Sequence, residues 1–306
     1  MTATIRGRGK IKRVSTELKY YQLNFENVII HSRLREFEKE VPDSGLSIKL
    51  GVKGVENYII NKERHAVSPN HFLIVNRHQQ LDCYLKSREI VEGFCFYLGE
   101  EVLQDAYRLL YEKIEEHLDD PFAKSHHSVT FLERVYHLRE NDLGRFLTQL
   151  RPQLLHPEAS ESLDFDSIFF QLASTLLNTQ LNIRQQIDQI PSARRSTREE
   201  LYRRLCMAHH YIYENFNKDI QLEKLAQVAM LSKFHLLRTY KQIYGVTPYK
   251  QVLQLRLNRA KELMQHDYGL EEIAFMLGFS DRRSFTKAFK KRFQMPPSDY
   301  RHQIQA

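Results

Sequence analysis

Between Val14 and Leu98 the apolar residues come in short β-branched and aromatic runs: ENVIIHS, GLSIKLGV, ENYIINK, HFLIVN, LDCYL and GFCFYL. Such runs read as strands. They are separated by turn signals at Pro42 to Gly45, Gly51 to Gly54, Ser68 to Asn70 and Glu92-Gly93, a spacing that predicts an antiparallel sandwich or small barrel. Tyr58, Phe72, Phe94 and Phe96 show an alternation compatible with an inner face, where they either line a ligand pocket or fill a hydrophobic core.

After Gly99 the period changes to that of a helix. Val102, Ala106, Leu109, Leu110, Ile114 and Leu118 share one face up to Pro121, and further helices are predicted around Phe131 to Leu150 and Ser167 to Gln186. Their second faces either pack within the chain or pair with another copy. Ile187 to Thr197 (IDQIPSARRST) reads as a linker, and from Arg198 the chain is almost wholly helical, with Leu201, Leu205, Ala208, Ile212 and Phe216 on one stripe and Asn217 ending it.

Two helix-turn-helix units follow. LEKLAQVAML leads into SKFHLLRTYKQIYG, where Ser232 is placed to cap the second helix, Leu236, Tyr240 and Ile243 turn inward, and Lys233, Arg238 and Lys241 face out. The pattern recurs 48 residues later as LEEIAFMLGF and SDRRSFTKAFKKRF, pairing Leu222 with Leu270, Ala226 with Ala274, Ser232 with Ser280, Leu236 with Ser284 and, with an offset, Tyr240 with Phe289. In the second unit Phe285, Ala288, Phe289 and Phe293 face inward, Arg282, Arg283, Thr286, Lys287 and Lys290 stay polar, and Gly278 supplies the turn.

Charge sharpens this division. The 306 residues carry a net charge of +7, but from Ser192 onward the net is plus ten and the remainder is minus three. Positive charge confined to the helical C-terminal part is the footprint of a surface that meets phosphates. Cys83, Cys95 and Cys206 form no CxxC pair and read as small buried hydrophobes, without disulfide or zinc. His65, His71 and His78 are too far apart for a shared metal site and read as surface or turn histidines, so no cofactor is expected. No apolar run nears the roughly 20 residues of a membrane span, and Met1 to Arg13 is too basic for a secretory signal, so a cytoplasmic protein is predicted.

The segment from Arg198 to Arg301 resembles the DNA-binding domain of the AraC/XylS family of bacterial transcription regulators. The resemblance is carried by LAQVAMLSKFHLLRTYKQIYGVTPYKQVLQLRLNRAKELM and EEIAFMLGFSDRRSFTKAFKKRF with Pro297 and Tyr300-Arg301; Met230 departs from it, standing where the family often has Gly. The resemblance implies seven helices, with Pro248 to Met264 holding two recognition helices about 34 Å apart, one turn of duplex. GVENYIINKERHAVSPNHFLIVNRHQ more faintly resembles the family's cupin-like sensor barrel. The predicted fold class is therefore α+β. A cupin-like β domain spans 1–98, a helical extension suited to dimerisation 99–190, a linker 191–197 and a double helix-turn-helix domain 198–306.

Arg238, Arg282 and Arg283 either read guanine edges by bidentate bonds or hold phosphates. Phe234 and Leu237 either meet thymine methyls or pack in the core, Lys233 and Thr286 add to the polar faces toward DNA, and Lys241, Lys287, Lys290, Lys291 and Arg292 either hold phosphates or simply solvate an outer face. The functional expectation is a sequence-specific regulator, an activator by the family resemblance, that binds double-stranded DNA. Its N-terminal domain takes a small-molecule effector; RNA polymerase and a second copy are the further partners implied. The alternative is a ligand-free N-terminal domain serving dimerisation or partner contact. An enzyme fused to a DNA-binding module is disfavoured: no GxSxG, HExxH, P-loop or GxGxxG occurs, and Glu115-Glu116 and Asp119-Asp120 read as a solvated helix end. The basic stretch Arg6 to Arg13 either touches DNA or is simply solvated.

Overall fold

The computed structural model describes residues 11–15, 18–22, 26–111, 130–155, 163–192 and 194–305. Arg6 to Lys10, Ile114, Leu118, Pro121 and the four acidic residues at 115–116 and 119–120 lie outside them. The chain divides into two compact units, Met1–Ile183 and Arg184–Ala306.

The first unit holds a nine-stranded antiparallel sheet that curls into a nearly closed barrel. Its strands are β1 (Ile11–Ser15), β2 (Leu18–Gln22), β3 (Val28–Val41), β4 (Ser47–Lys53), β5 (Glu56–Ile60), β6 (Glu63–Val67), β7 (His71–Val75), β8 (Leu81–Tyr97) and β9 (Val135–His137). The main path runs β1-β3-β8-β4-β7-β9, with β2 on β3, and β5 joining β8 to β6. The sequence suggested two strands, LDCYL and GFCFYL, broken at Glu92-Gly93; they are one strand of 17 residues. Gly93 is not a turn residue. A Cβ there would meet the Glu56 carboxylate at 2.9 Å and the Leu50 carbonyl at 3.0 Å, so glycine marks a close approach inside the sheet. β8 pairs β5 with its first half and β4 with its second, and a bulge between Leu34 and Glu36 bends its long partner β3.

Register sorts the side chains to two faces, because directly opposed residues point the same way. Ile48 opposes Ile74 and Phe96, and Leu50 opposes Phe72 and Phe94, all essentially inaccessible. Lys49 opposes Leu73 and Cys95 on the reverse face, as Tyr58 opposes Cys83 and Cys83 opposes Lys39.

Helix α1 (Glu100–Tyr111) follows the barrel, but among the described residues of its expected apolar face only Ala106 is buried and Leu109 is 70% exposed. The helix expected from Phe131 begins only at α2 (Asp142–Leu155). Upstream, Phe131 is tied to Asn76 by a two-way amide pairing, its N–H donating to Oδ1 at 2.8 Å and its carbonyl accepting from Nδ2 at 2.8 Å. Val135 to His137 then add to the edge of β7. An edge strand in need of a partner outweighs a helical period here. Leu143, Leu147, Leu150 and Leu154 form the buried stripe of α2, and Phe169, Leu172, Ala173 and Leu176 that of α3 (Phe165–Asp188).

The second unit contains α4 (Arg195–Asn215), α5 (Leu222–Val228), α6 (Lys233–Tyr244), α7 (Pro248–Leu263), α8 (Leu270–Met276), α9 (Arg282–Phe293) and α10 (Pro297–Gln305). These are the seven helices the family resemblance implied. The end of α3 belongs to this unit: Tyr202 donates to Gln186 at 2.8 Å, Arg198 to Asp188 at 3.2 Å, and Gln242 to the Gln189 carbonyl at 2.6 Å.

Candidate nucleic-acid interface

Each helix pair turns through the same hydrogen-bonded loop. The Leu231 N–H reaches the Ala226 carbonyl at 2.9 Å and the Met230 N–H the Gln227 carbonyl at 3.1 Å; Phe279 to Ala274 and Gly278 to Phe275 repeat this at 3.0 and 2.9 Å. This closure needs a left-handed residue just past the helix. Gly278 supplies it with φ +76°, and Met230 adopts it too, at φ +51°. The departure at Met230 thus leaves the turn type unchanged.

The second helices then begin one residue apart in register. Ser232 caps α6, accepting from the His235 N–H at 3.2 Å as expected, whereas the cap of α9 is Asp281, accepting from the Ser284 N–H at 2.6 Å, and not Ser280. Asp281 is held below the usual carboxylate range by the backbone and hydroxyl bonds from Ser284. The repeat is therefore 48 residues for α5 and α8 but 49 for α6 and α9. Leu236 matches Phe285, not Ser284, and Tyr240 matches Phe289, which accounts for the offset noted above.

With that register the two faces correspond position by position. Lys233, Phe234, Leu237, Arg238 and Lys241 on α6 occupy the places of Arg282, Arg283, Thr286, Lys287 and Lys290 on α9. All are exposed except Thr286, which is half-buried, and Phe234 stands 77% exposed, so neither it nor Leu237 packs in the core. Beneath them Leu236, Tyr240 and Ile243 are buried in the first helix-turn-helix, and Phe285 and Phe289 in the second, with Ala288 and Phe293 partly covered. Buried His209 braces the first pair, bonded through Nδ1 to the Tyr240 hydroxyl at 2.7 Å and stacked on Tyr244 at 4.0 Å.

Electrostatics distinguishes the candidates. Lys233 Nζ lies 2.6 Å from Glu223, whose carboxyl is held low by that bond, so the pair must open before Lys233 can serve a phosphate. Among the described residues no carboxylate pairs with Arg238, Lys241, Arg282, Arg283, Lys287 or Lys290. Lys291 and Arg292 are exposed at the end of α9.

Two residues were not singled out from sequence. Arg256, half-buried on α7, donates to the carbonyls of Phe216 at 2.6 Å, Gly278 at 2.7 Å and Lys218 at 2.8 Å, so one guanidinium ties the end of α4 to the turn of the second unit. Its burial pulls its pKa down from the usual arginine value. Tyr249 stands 77% exposed in the first turn of α7, behind a Thr247 cap and Pro248; the TPYK string was the available signal.

The N-terminal candidates separate. Phe72, stacked on Tyr136 at 5.1 Å, lies with Phe94 and Phe96 in the filled layer, while Tyr58 is on the opposite face, its hydroxyl donating to Glu56 at 2.7 Å. His65, His71 and His78 do not converge: His65 sits on β6, His71 bonds Ser68 at 2.9 Å, and exposed His78 pairs with Asp43 at 3.0 Å.

A family profile described as a helix-turn-helix domain matches residues 225–303. The chain is similar to the probable transcription factor PqrA of Proteus vulgaris, 37% identical over 28% of this chain and 70% of that one. It is similar also to the transcriptional activator RhaS of Salmonella schwarzengrund, 35% identical over 30% of this chain and 33% of that protein. Among solved structures, a regulator with an AraC-type DNA-binding domain from Chromobacterium violaceum is 30% identical, covering 33% of this chain and 90% of that one at a TM-score of 0.31. Of the other curated relatives it matches, this chain spans 32 to 44% of the length. These helices, turns and basic faces define a double helix-turn-helix DNA-binding protein. The chain belongs to the AraC family of transcriptional regulators.

Proposed function

We propose that the protein is a sequence-specific transcription activator that lays α6 and α9 in successive major grooves and is governed by an effector bound in its barrel. The observation that carries the reading is the pair of matching faces, five positions each and all exposed but Thr286, set on helices held by the same turn and, among the described residues, free of carboxylate partners except at Lys233. Arg282 and Arg283, at the start of α9, are the base readers; Arg238 reads or clamps from α6, with Phe234 and Leu237 against thymine methyls. Lys241, Lys287 and Lys290 hold phosphates. The protein is not an enzyme in this reading and works in the cytoplasm as a homodimer, activation passing through RNA polymerase.

The effector chamber is the face of the barrel that carries Tyr58, Glu56 and Lys49, where polar groups converge. Phe72, Phe94 and Phe96 are structural. Selection of genomic fragments by the full chain at physiological salt tests the reading: a compact motif with two elements about one helical turn apart supports it. Retention of no sequence above background by folded protein, with and without candidate effectors from neighbouring genes, overturns it. Ligand binding unaffected by Tyr58→Phe and Lys49→Gln, yet lost in Phe94→Leu, would move the chamber to the other face.

A further inference from the structure

Lys49 is 3% exposed, in the middle of β4. Its Nζ lies 2.8 Å from Cys95 Sγ and 3.2 Å from the Tyr97 hydroxyl, and 4.5 Å over the Tyr97 ring. The sulfur, the larger atom, is the nearer of the two. The approach is built into the sheet, since Lys49 and Cys95 are directly opposed on β4 and β8. Among the described residues no carboxylate is within ion-pair distance of this ammonium; the nearby Glu56 accepts from Tyr58 at 2.7 Å and Ser32 at 3.3 Å. A cation buried without a carboxylate is costly, and the Cys95 sulfur and the Tyr97 hydroxyl are the acceptors that face it. Burial alone would lower the Lys49 pKa, and Cys95 and then Tyr97 reverse this to hold it above the usual lysine value.

The two thiols on this face are not equivalent. Burial, with Glu56 adding to it, pushes the Cys83 thiol far up, which keeps it in the unreactive form. Both thiols are half-buried, within reach of a small oxidant, and of the two it is Cys95 that lies against the ammonium. Cys206 belongs to the other unit.

We propose that Lys49 and Cys95 form a peroxide-made covalent bridge, Nζ–O–Sγ, linking β4 to β8 as a reversible modification site. The Cys95 sulfur attacks one hydrogen peroxide, the O–O bond breaks, water leaves, and a sulfenic acid forms. A second peroxide removes two further electrons as Lys49, its ammonium having first given one proton to water, bonds through nitrogen to that oxygen. In sum an amine and a thiol with two peroxides give the bridge and three waters, with one N–H and the S–H lost. The bridge erases the buried positive charge and adds a covalent tie beside the strand pairing. An effect on DNA binding rests on the regulator reading; the bridge itself does not.

The test treats the reduced full chain with hydrogen peroxide and digests it without reductant for tandem mass spectrometry. The expected product joins the β4 and β8 peptides at their summed mass plus one oxygen less two hydrogens, resists trypsin after Lys49, and separates in dithiothreitol. Cys83→Ser should retain the bridge, and Cys95→Ser should abolish it. A Cys95 sulfinic acid with the Lys49 peptide free, a Cys83–Cys95 disulfide, or an unmodified pair overturns the proposal. The wild-type spectrum is decisive even if a variant misfolds. Because the product is read by mass, it stands or falls apart from any DNA assay.

Discussion

Met230 and Gly278 do the same job at the same place in two turns, and only one of them is glycine. A side chain in the left-handed region costs about 1 to 2 kcal/mol, partly returned by the lower entropy of a non-glycine unfolded chain. Met230→Gly should therefore raise stability by about 1 kcal/mol, seen as a higher midpoint in urea with unchanged slope. Gly278→Ala should go the other way by about 3 kcal/mol, because its Cβ would sit 2.4 Å from the Asn217 carbonyl and 2.9 Å from Arg256. On the exposed faces, Arg283→Ala should cost about 1 to 3 kcal/mol on the cognate site and relax preference at one base pair, whereas Lys290→Ala weakens all sequences alike; competition assays with specific and random duplexes separate the two. The exposed positions were legible because charges and buried aromatics alternate with helical period. Arg256 was not, since a lysine or arginine that caps distant carbonyls leaves no local pattern.

At the scale of elements, the helices of the second unit were legible from caps and stripes, and the misreadings lie where long-range partners decide. Gly93 looked like a turn because its reason, the Glu56 carboxylate, is 37 residues away in sequence. Phe131 to His137 looked helical because Asn76 and the free edge of β7 do not show in a local period. The cap of α9 was misplaced by one residue because Ser280 and Asp281 are both competent caps and only the packing of Phe285 and Phe289 chooses. The Asp281 carboxylate bonds two groups of Ser284 when charged. Its folded pKa is depressed, so its contribution is present above the unfolded pKa and is lost as pH falls through the folded one. Asp281→Asn should flatten that acid limb of the stability profile, as unfolding curves below about pH 4 would show. Arg256→Met, leaving three carbonyls without their donor, should cost about 2 kcal/mol and weaken specific binding although Arg256 is no base contact.

For the whole molecule, segregated charge is what the sequence displayed most directly. A surface that holds phosphates through Lys241, Lys287 and Lys290 should lose affinity steeply with salt, and each lysine removed should lower the log–log slope by about one. A slope unchanged in all three variants would remove them from the backbone contacts.

The one-residue difference between the two turns has a consequence for how the molecule can be rebuilt. Cap and helix travel together, so 232–244 and 281–293 are equivalent cassettes of equal length, each bringing its own start signal and its own seat for the hydrophobic floor. Exchanging them, caps included, should leave a folded protein whose preferred operator has its two halves transposed.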